Sequence, residues 1–239
     1  MRVHFALLAG ALLATPLAAA ASYQPPELKD AAVQRATLEI AQTYGGAVPG
    51  LDATTLRWFL YAIEHRESGF HPTWCNLDDG AGSWNAAVDS FSLTSDHLPH
   101  GCGLTQLTGW DHEGMPNVGN GESSPARLDK GIYGMVAPPR PVTTLRDPLD
   151  PEQNLARFVT VEVLPDFVAI RHAHPSFTVE ETLRAVAFHW YRGEFVAYDP
   201  SECTYLCLYD AYVGVYRPAV VADEASAFGA PMRGSWLSP

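Results

Sequence analysis

Two glutamates stand three residues apart in the segment LRWFLYAIEHRESGFHP, residues 56–72, with a histidine and an arginine between them. A carboxyl group works as a general acid when its surroundings hold its proton near the working pH, so the surroundings of Glu64 and Glu67 decide whether either is a catalyst. On a helix turning about 100° per residue, Leu56, Phe59, Leu60 and Ile63 form one apolar arc. Glu67 projects from the middle of that arc. Glu64 lies at its edge, close in angle to Arg57, and is expected to reach water. A carboxylate aimed into an apolar face must be paired, protonated or useful. Gly69 is a natural helix stop, which puts Glu67 in the last turn, where the helix dipole disfavours negative charge. Desolvation acts in the same direction. Residue type and spacing therefore nominate Glu67 as a general acid and Glu64 as a surface carboxylate.

Other reactive groups make weaker cases. Asp78, Asp79, Asp89 and Asp96 lie in a loop-like stretch with Trp74 and Trp84. Each is read first as a surface loop residue, and Asp89 and Asp96 come next as candidates to position a water. His97, His100 and Cys102 in DHLPHGC, and His172 with His174 in HAH, have metal-ligand chemistry but lack a fourth ligand at suitable spacing, so no metal site is expected. His189 reads as a hydrogen-bonded core residue. Four cysteines in an exported chain read as two disulfides with three possible pairings. Cys75 and Cys102 bracket one Gly/Ser/Asp-rich stretch and Cys203 and Cys207 lie four apart, which favours Cys75–Cys102 with Cys203–Cys207. Neither pair has the tight C-x-x-C spacing of a zinc knuckle.

The elements that must position these groups are mostly helical. ELKDAAVQRATLEIAQTYGG has helical periodicity and ends at Gly45 and Gly46, and the helix carrying Glu67 starts with Asp52 as N-cap. DPEQNLARFVTVEVL begins with Asp150 as cap and Pro151 at the first helical position. TVEETLRAVAFHWYRG opens with a capping box from Thr178 to Glu181 and stops at Gly193, with Leu183, Val186, Ala187 and Trp190 as its inward stripe. PSECTYLCLYDAYVGVY reads as the last helix. Between these lie a loop-like stretch from residue 69 to 100 and a Gly/Pro-rich passage from 111 to 148, read as the wall or lid of a cleft. No alternation demands a large sheet.

Residues 1–21 have Arg2 before an apolar run and Ala18-Ala19-Ala20 as a small-residue cleavage site, the pattern of a secretory signal peptide. Residues 22–217 then form one domain and residues 218–239 a flexible tail, the break falling at Pro218. The net charge of -12 and pI near 5.0 argue against nucleic acid as a partner. No apolar run after the signal is long enough to span a membrane, so the mature chain is expected to be soluble and exported, periplasmic or secreted.

Glu-Ser-Gly-Phe at residues 67–70, Gly-Leu-Thr-Gln at 103–106, Asn154-Leu155, and Trp190-Tyr191-Arg192-Gly193 occur in that order across residues 52–193. Together they resemble the soluble-lytic-transglycosylase type of catalytic domain. The resemblance implies a mainly α, lysozyme-like fold of the goose-lysozyme kind, here with irregular loop insertions. The activity it implies is cleavage of peptidoglycan glycan strands, without cofactor, by a chain expected to be monomeric. By the resemblance Glu67 is the single acid/base, Gln106 points its amide into the sugar cleft, and Ser68, Asn154, Trp190 and Tyr191 take substrate-facing or supporting positions. Trp190 stands where such domains usually carry tyrosine and Tyr191 where they carry asparagine. The alternatives are a goose-type hydrolase, with an aspartate positioning water opposite Glu67, and a non-catalytic binding module that keeps the cleft.

Overall fold

The computed structural model describes residues 23–77, 83–85, 99–107, 149–193 and 196–229. It is mainly helical. Helices α1 (Ala31–Tyr44) and α2 (Ala53–Ser68) lead into three short strands, β1 (Trp74–Leu77), β2 (Ser83–Asn85) and β3 (Pro99–Cys102). Helix α3 (Pro151–Arg157) runs through a π-helical turn (Phe158–Val163) into α4 (Leu164–Ala173). Helices α5 (Val179–Arg192) and α6 (Leu206–Gly229) complete the described order.

The expected starts are all present. Asp52 accepts from the Thr55 N–H at 2.7 Å and Asp150 from the Gln153 N–H at 3.0 Å. Thr178 and Glu181 form the capping box that opens α5, so orphan N–H groups at these three helix entries are satisfied by side chains.

Helix α2 is the enclosed element. Every residue from Leu56 to Glu64 is buried, because α2 lies against both α1 and α6. This overturns the expectation for Glu64. A two-sided wheel assumes one face in water, but α2 has neighbours on several sides, and Glu64 is 0% exposed. Its Oε1 accepts from the Thr37 hydroxyl of α1 at 2.9 Å.

Three further boundaries differ from expectation. The third predicted helix does not stop at Leu164 but continues to Ala173 through the π turn. The turn sits just before Pro165, whose ring would otherwise press on the preceding turn of helix. The stretch read as loop contains an antiparallel ribbon ordered β2-β1-β3. These strands are three or four residues long, too short to show an alternating pattern. The chain does not fray at Pro218, which lies inside α6. Val220 is fully buried, and the buried Arg57 guanidinium of α2 bonds Asp223 and Glu224, each at 3.2 Å, and the Tyr23 carbonyl at 2.6 Å. These contacts outweigh the one backbone donor that the proline removes.

One of the two expected disulfides is directly described. Cys203 and Cys207 are bonded to each other. Cys102 is also disulfide-bonded, and the β1–β3 register sets Cys75 directly opposite it. The signal segment, the passage 111–148, and Asp78, Asp79, Asp89, Asp96 and His97 lie outside the described residues.

Candidate active site

Helix α2 ends where the chain turns sharply. Gly69 adopts φ 59° and caps the helix through its N–H to the Glu64 and His65 carbonyls. Phe70 follows, also left-handed at φ 66°. A phenylalanine pays for that conformation. The compensation is burial of its ring, 3% exposed, against Tyr61, His65 and Tyr216. The turn leaves Glu67 on the last turn of α2, facing the end of α5 and the start of α6.

The Tyr205 hydroxyl, at the entry to α6, donates to Glu67 Oε1 at 2.5 Å. The Glu67 residue is half-buried and its carboxyl is desolvated. Desolvation pushes the carboxyl up to about 7, against the Tyr205 hydrogen bond, the Arg66 charge and the Trp190 indole, which all favour the anion. Among the described residues no second carboxylate takes part in this balance. The same burial, together with the Glu67 charge, holds the Tyr205 phenol well above its usual range, so it stays a donor.

Aromatic groups build the wall behind the acid. Phe158, the first residue of the π turn, meets Trp190 edge-on at 4.9 Å and lies parallel to Phe59 of α2. Tyr191 stacks on Tyr205 with centroids 4.8 Å apart and planes 14° apart. The Arg66 guanidinium lies over Tyr205 at 4.7 Å and that of Arg192 over Tyr191 at 4.9 Å. Cation–π contact of this kind stabilises both ends of the stack.

The structure therefore brings Glu67, Trp190 and Tyr191 together. It gives Ser68, Gln106 and Asn154 other work. Ser68 Oγ donates back to the Glu64 carbonyl at 3.1 Å inside α2. Asn154, fully buried, accepts from the Thr105 N–H and hydroxyl and donates to the Cys102 carbonyl. Gln106, at φ 53°, donates from Nε2 to the Trp74 and Gly103 carbonyls at 3.0 and 2.8 Å. These two side chains clasp the turn that follows β3, where Cys102 and Leu107 exchange backbone hydrogen bonds. Gly101 is required there, because a Cβ would lie 2.6 Å from the Gln106 carbonyl oxygen.

His189 faces elsewhere. It lines a cavity of about 970 Å³ with Asp166, Arg184 and Tyr198, its Nδ1 3.8 Å from Asp166 Oδ2. Among the described residues no group of three or more His, Cys, Asp or Glu side chains is arranged to hold a metal, and no helix is long and apolar enough to cross a membrane.

Sequence reasoning missed Tyr205. The segment PSECTYLCLYDAYVGVY reads as the last helix and as the place of one disulfide, and nothing in its pattern marks which residue reaches Glu67. The long stem of Arg66 carries its guanidinium onto the Tyr205 ring that holds the acid.

No family model, no curated protein and no solved structure matches this chain.

Proposed function

We propose that this chain cleaves the glycan strands of peptidoglycan between N-acetylmuramic acid and N-acetylglucosamine without consuming water. The observation that carries the reading is the carboxyl of half-buried Glu67, held near neutrality at about 7 by desolvation and gripped on one oxygen by Tyr205. A group with that proton affinity can give a proton in one step and take one in the next. The order of Glu-Ser-Gly, Gly-Leu-Thr-Gln and the Trp190-Tyr191 segment supports the substrate class by resemblance, and the amino-terminal signal pattern supports export to where that substrate lies.

In this mechanism the Tyr205 hydroxyl engages Oε1, so the acidic proton sits on Oε2. Glu67 passes it to the glycosidic oxygen as the bond to the muramoyl C1 breaks and positive charge develops on the ring. The carboxylate left behind, still held by Tyr205, removes the proton from the C6 hydroxyl of the same sugar. That oxygen attacks C1 and closes a 1,6-anhydro ring, which restores the protonated acid.

The deciding experiment is mass spectrometry of purified peptidoglycan after digestion. Anhydromuramoyl ends support the reading. Reducing ends would replace it by hydrolysis with an aspartate-positioned water, and no products would replace it by glycan binding.

A further inference from the structure

Tyr205 is the residue through which the start of α6 reaches the acid, and it is fastened on both sides along the chain. Glu202, its side chain 8% exposed, accepts from the backbone N–H groups of Thr204, Tyr205 and Leu206 at 2.9, 3.1 and 3.2 Å. Arg192, stacked over Tyr191, lies 3.6 Å from the same carboxylate. The Cys203–Cys207 bridge closes around Thr204, Tyr205 and Leu206. A crosslink spanning so few residues restrains the unfolded chain less than one spanning a long loop. Its larger effect is local, on the residues it encloses.

We propose that Glu202 and the Cys203–Cys207 bridge are positioning residues for Glu67, acting through the Tyr205 hydroxyl. The proposal rests on the reading of Glu67 as the acid, and it adds a reason for the second disulfide. A tyrosine at a helix entry lies where the backbone frays most readily, because the first N–H groups lack helical partners. Glu202 supplies those partners from one side, and the crosslink ties the first turn from the other. With the backbone of Tyr205 fixed, its ring keeps its place between Arg66 and Tyr191 and its hydroxyl stays on Oε1. With either fastening removed, the same residues remain but the hydroxyl spends part of its time away from the acid.

The test combines Cys203→Ala/Cys207→Ala and Glu202→Gln with Tyr205→Phe, on the full exported chain. The first readout is the titration midpoint of the Glu67 side-chain carboxyl by carbon NMR, which needs no substrate. Each fastening variant should move the midpoint upward, toward that of Tyr205→Phe, and should have no further effect in the Tyr205→Phe background. The second readout is lytic turnover, expected to fall severalfold in each fastening variant with little change in KM. A midpoint that stays at the wild-type value in both fastening variants, or that moves equally with and without the hydroxyl, overturns the proposal. Glu202→Gln keeps the test decisive if the double cysteine variant does not fold. An inactive wild type would count against the proposed function, while the titration would still decide the positioning.

Discussion

The Tyr205 hydroxyl and the Glu67 carboxyl meet at 2.5 Å although 138 residues separate them in the chain. The contact joins the end of the enclosed helix α2 to the start of α6. The acid is therefore set by tertiary packing as well as by its own helix.

Removing that hydroxyl should shift the pH profile. Tyr205 stabilises the carboxylate form of Glu67, so Tyr205→Phe should raise the acid's proton affinity beyond its present value of about 7. A general acid is active while protonated, and the alkaline limb of kcat should move upward by about one pH unit, the size of one hydrogen bond to a charged group. Turnover at the optimum should fall, because the carboxyl loses its orientation. Initial rates from pH 5 to 9 decide the matter, and a limb that stays in place or moves downward contradicts it.

Glu67→Gln should lower turnover at least about a hundredfold, the usual contribution of a positioned acid, with an unchanged circular dichroism spectrum. The Glu67 carboxyl is desolvated, so the neutral amide has no folding penalty to meet. Retained lytic activity in this variant would remove Glu67 from the chemistry.

Glu64 has no place in the chemistry, but like Glu67 it should make stability depend on pH. Burial raises its carboxyl well above the ordinary range, with the Thr37 hydrogen bond opposing. The unfolded chain ionises this group at about 4.3, while the folded chain keeps the proton to higher pH. Between the two values the folded state binds the extra proton, so stability falls as pH rises through that window. Glu64→Gln should remove its share of this dependence, leaving that of Glu67, and leave the protein more stable than wild type at pH 7, with little difference at pH 4. Urea midpoints at both pH values measure it.

Ending the chain after Arg217 should destabilise the fold by about 3 kcal/mol, since it strips the buried Arg57 of Asp223 and Glu224. Arg57→Met in the truncated chain should recover part of the loss. A truncated chain as stable as the full one would return these residues to the status of a tail.

Peptide mapping without reduction should recover Cys75 linked to Cys102, the pair that the β1–β3 register sets opposite each other. A peptide joining Cys75 to Cys203 or Cys207 would contradict the ladder.

The helices were legible because their start signals are local: Asp52, Asp150 and Thr178 each bond within three residues. The place of Glu67 was legible for a related reason, since it closes a helix with Gly69 directly behind it. What was not legible depends on distant neighbours. The burial of Glu64 follows from α1 crossing α2, and the continuation through Pro218 from Arg57 needing two carboxylates. No spacing in the sequence announces either. Tyr205 lay in plain view in a segment whose pattern says helix and nothing about which residue reaches across.

The π turn sets a phase. Counted from Asn154, each side chain beyond Val163 is rotated by about 100° from where an uninterrupted α-helix would put it, because the Leu164 N–H bonds Val159 one residue further back than usual. One rod thus addresses two partners: its first half holds the turn after β3 through Asn154, and its second half packs on α5. Phe158, at the junction, touches both Phe59 and Trp190. Exchanging one apolar residue for another within Phe158–Val163 preserves this alignment, whereas losing a single residue destroys it. The segment is constrained in length more tightly than in letters.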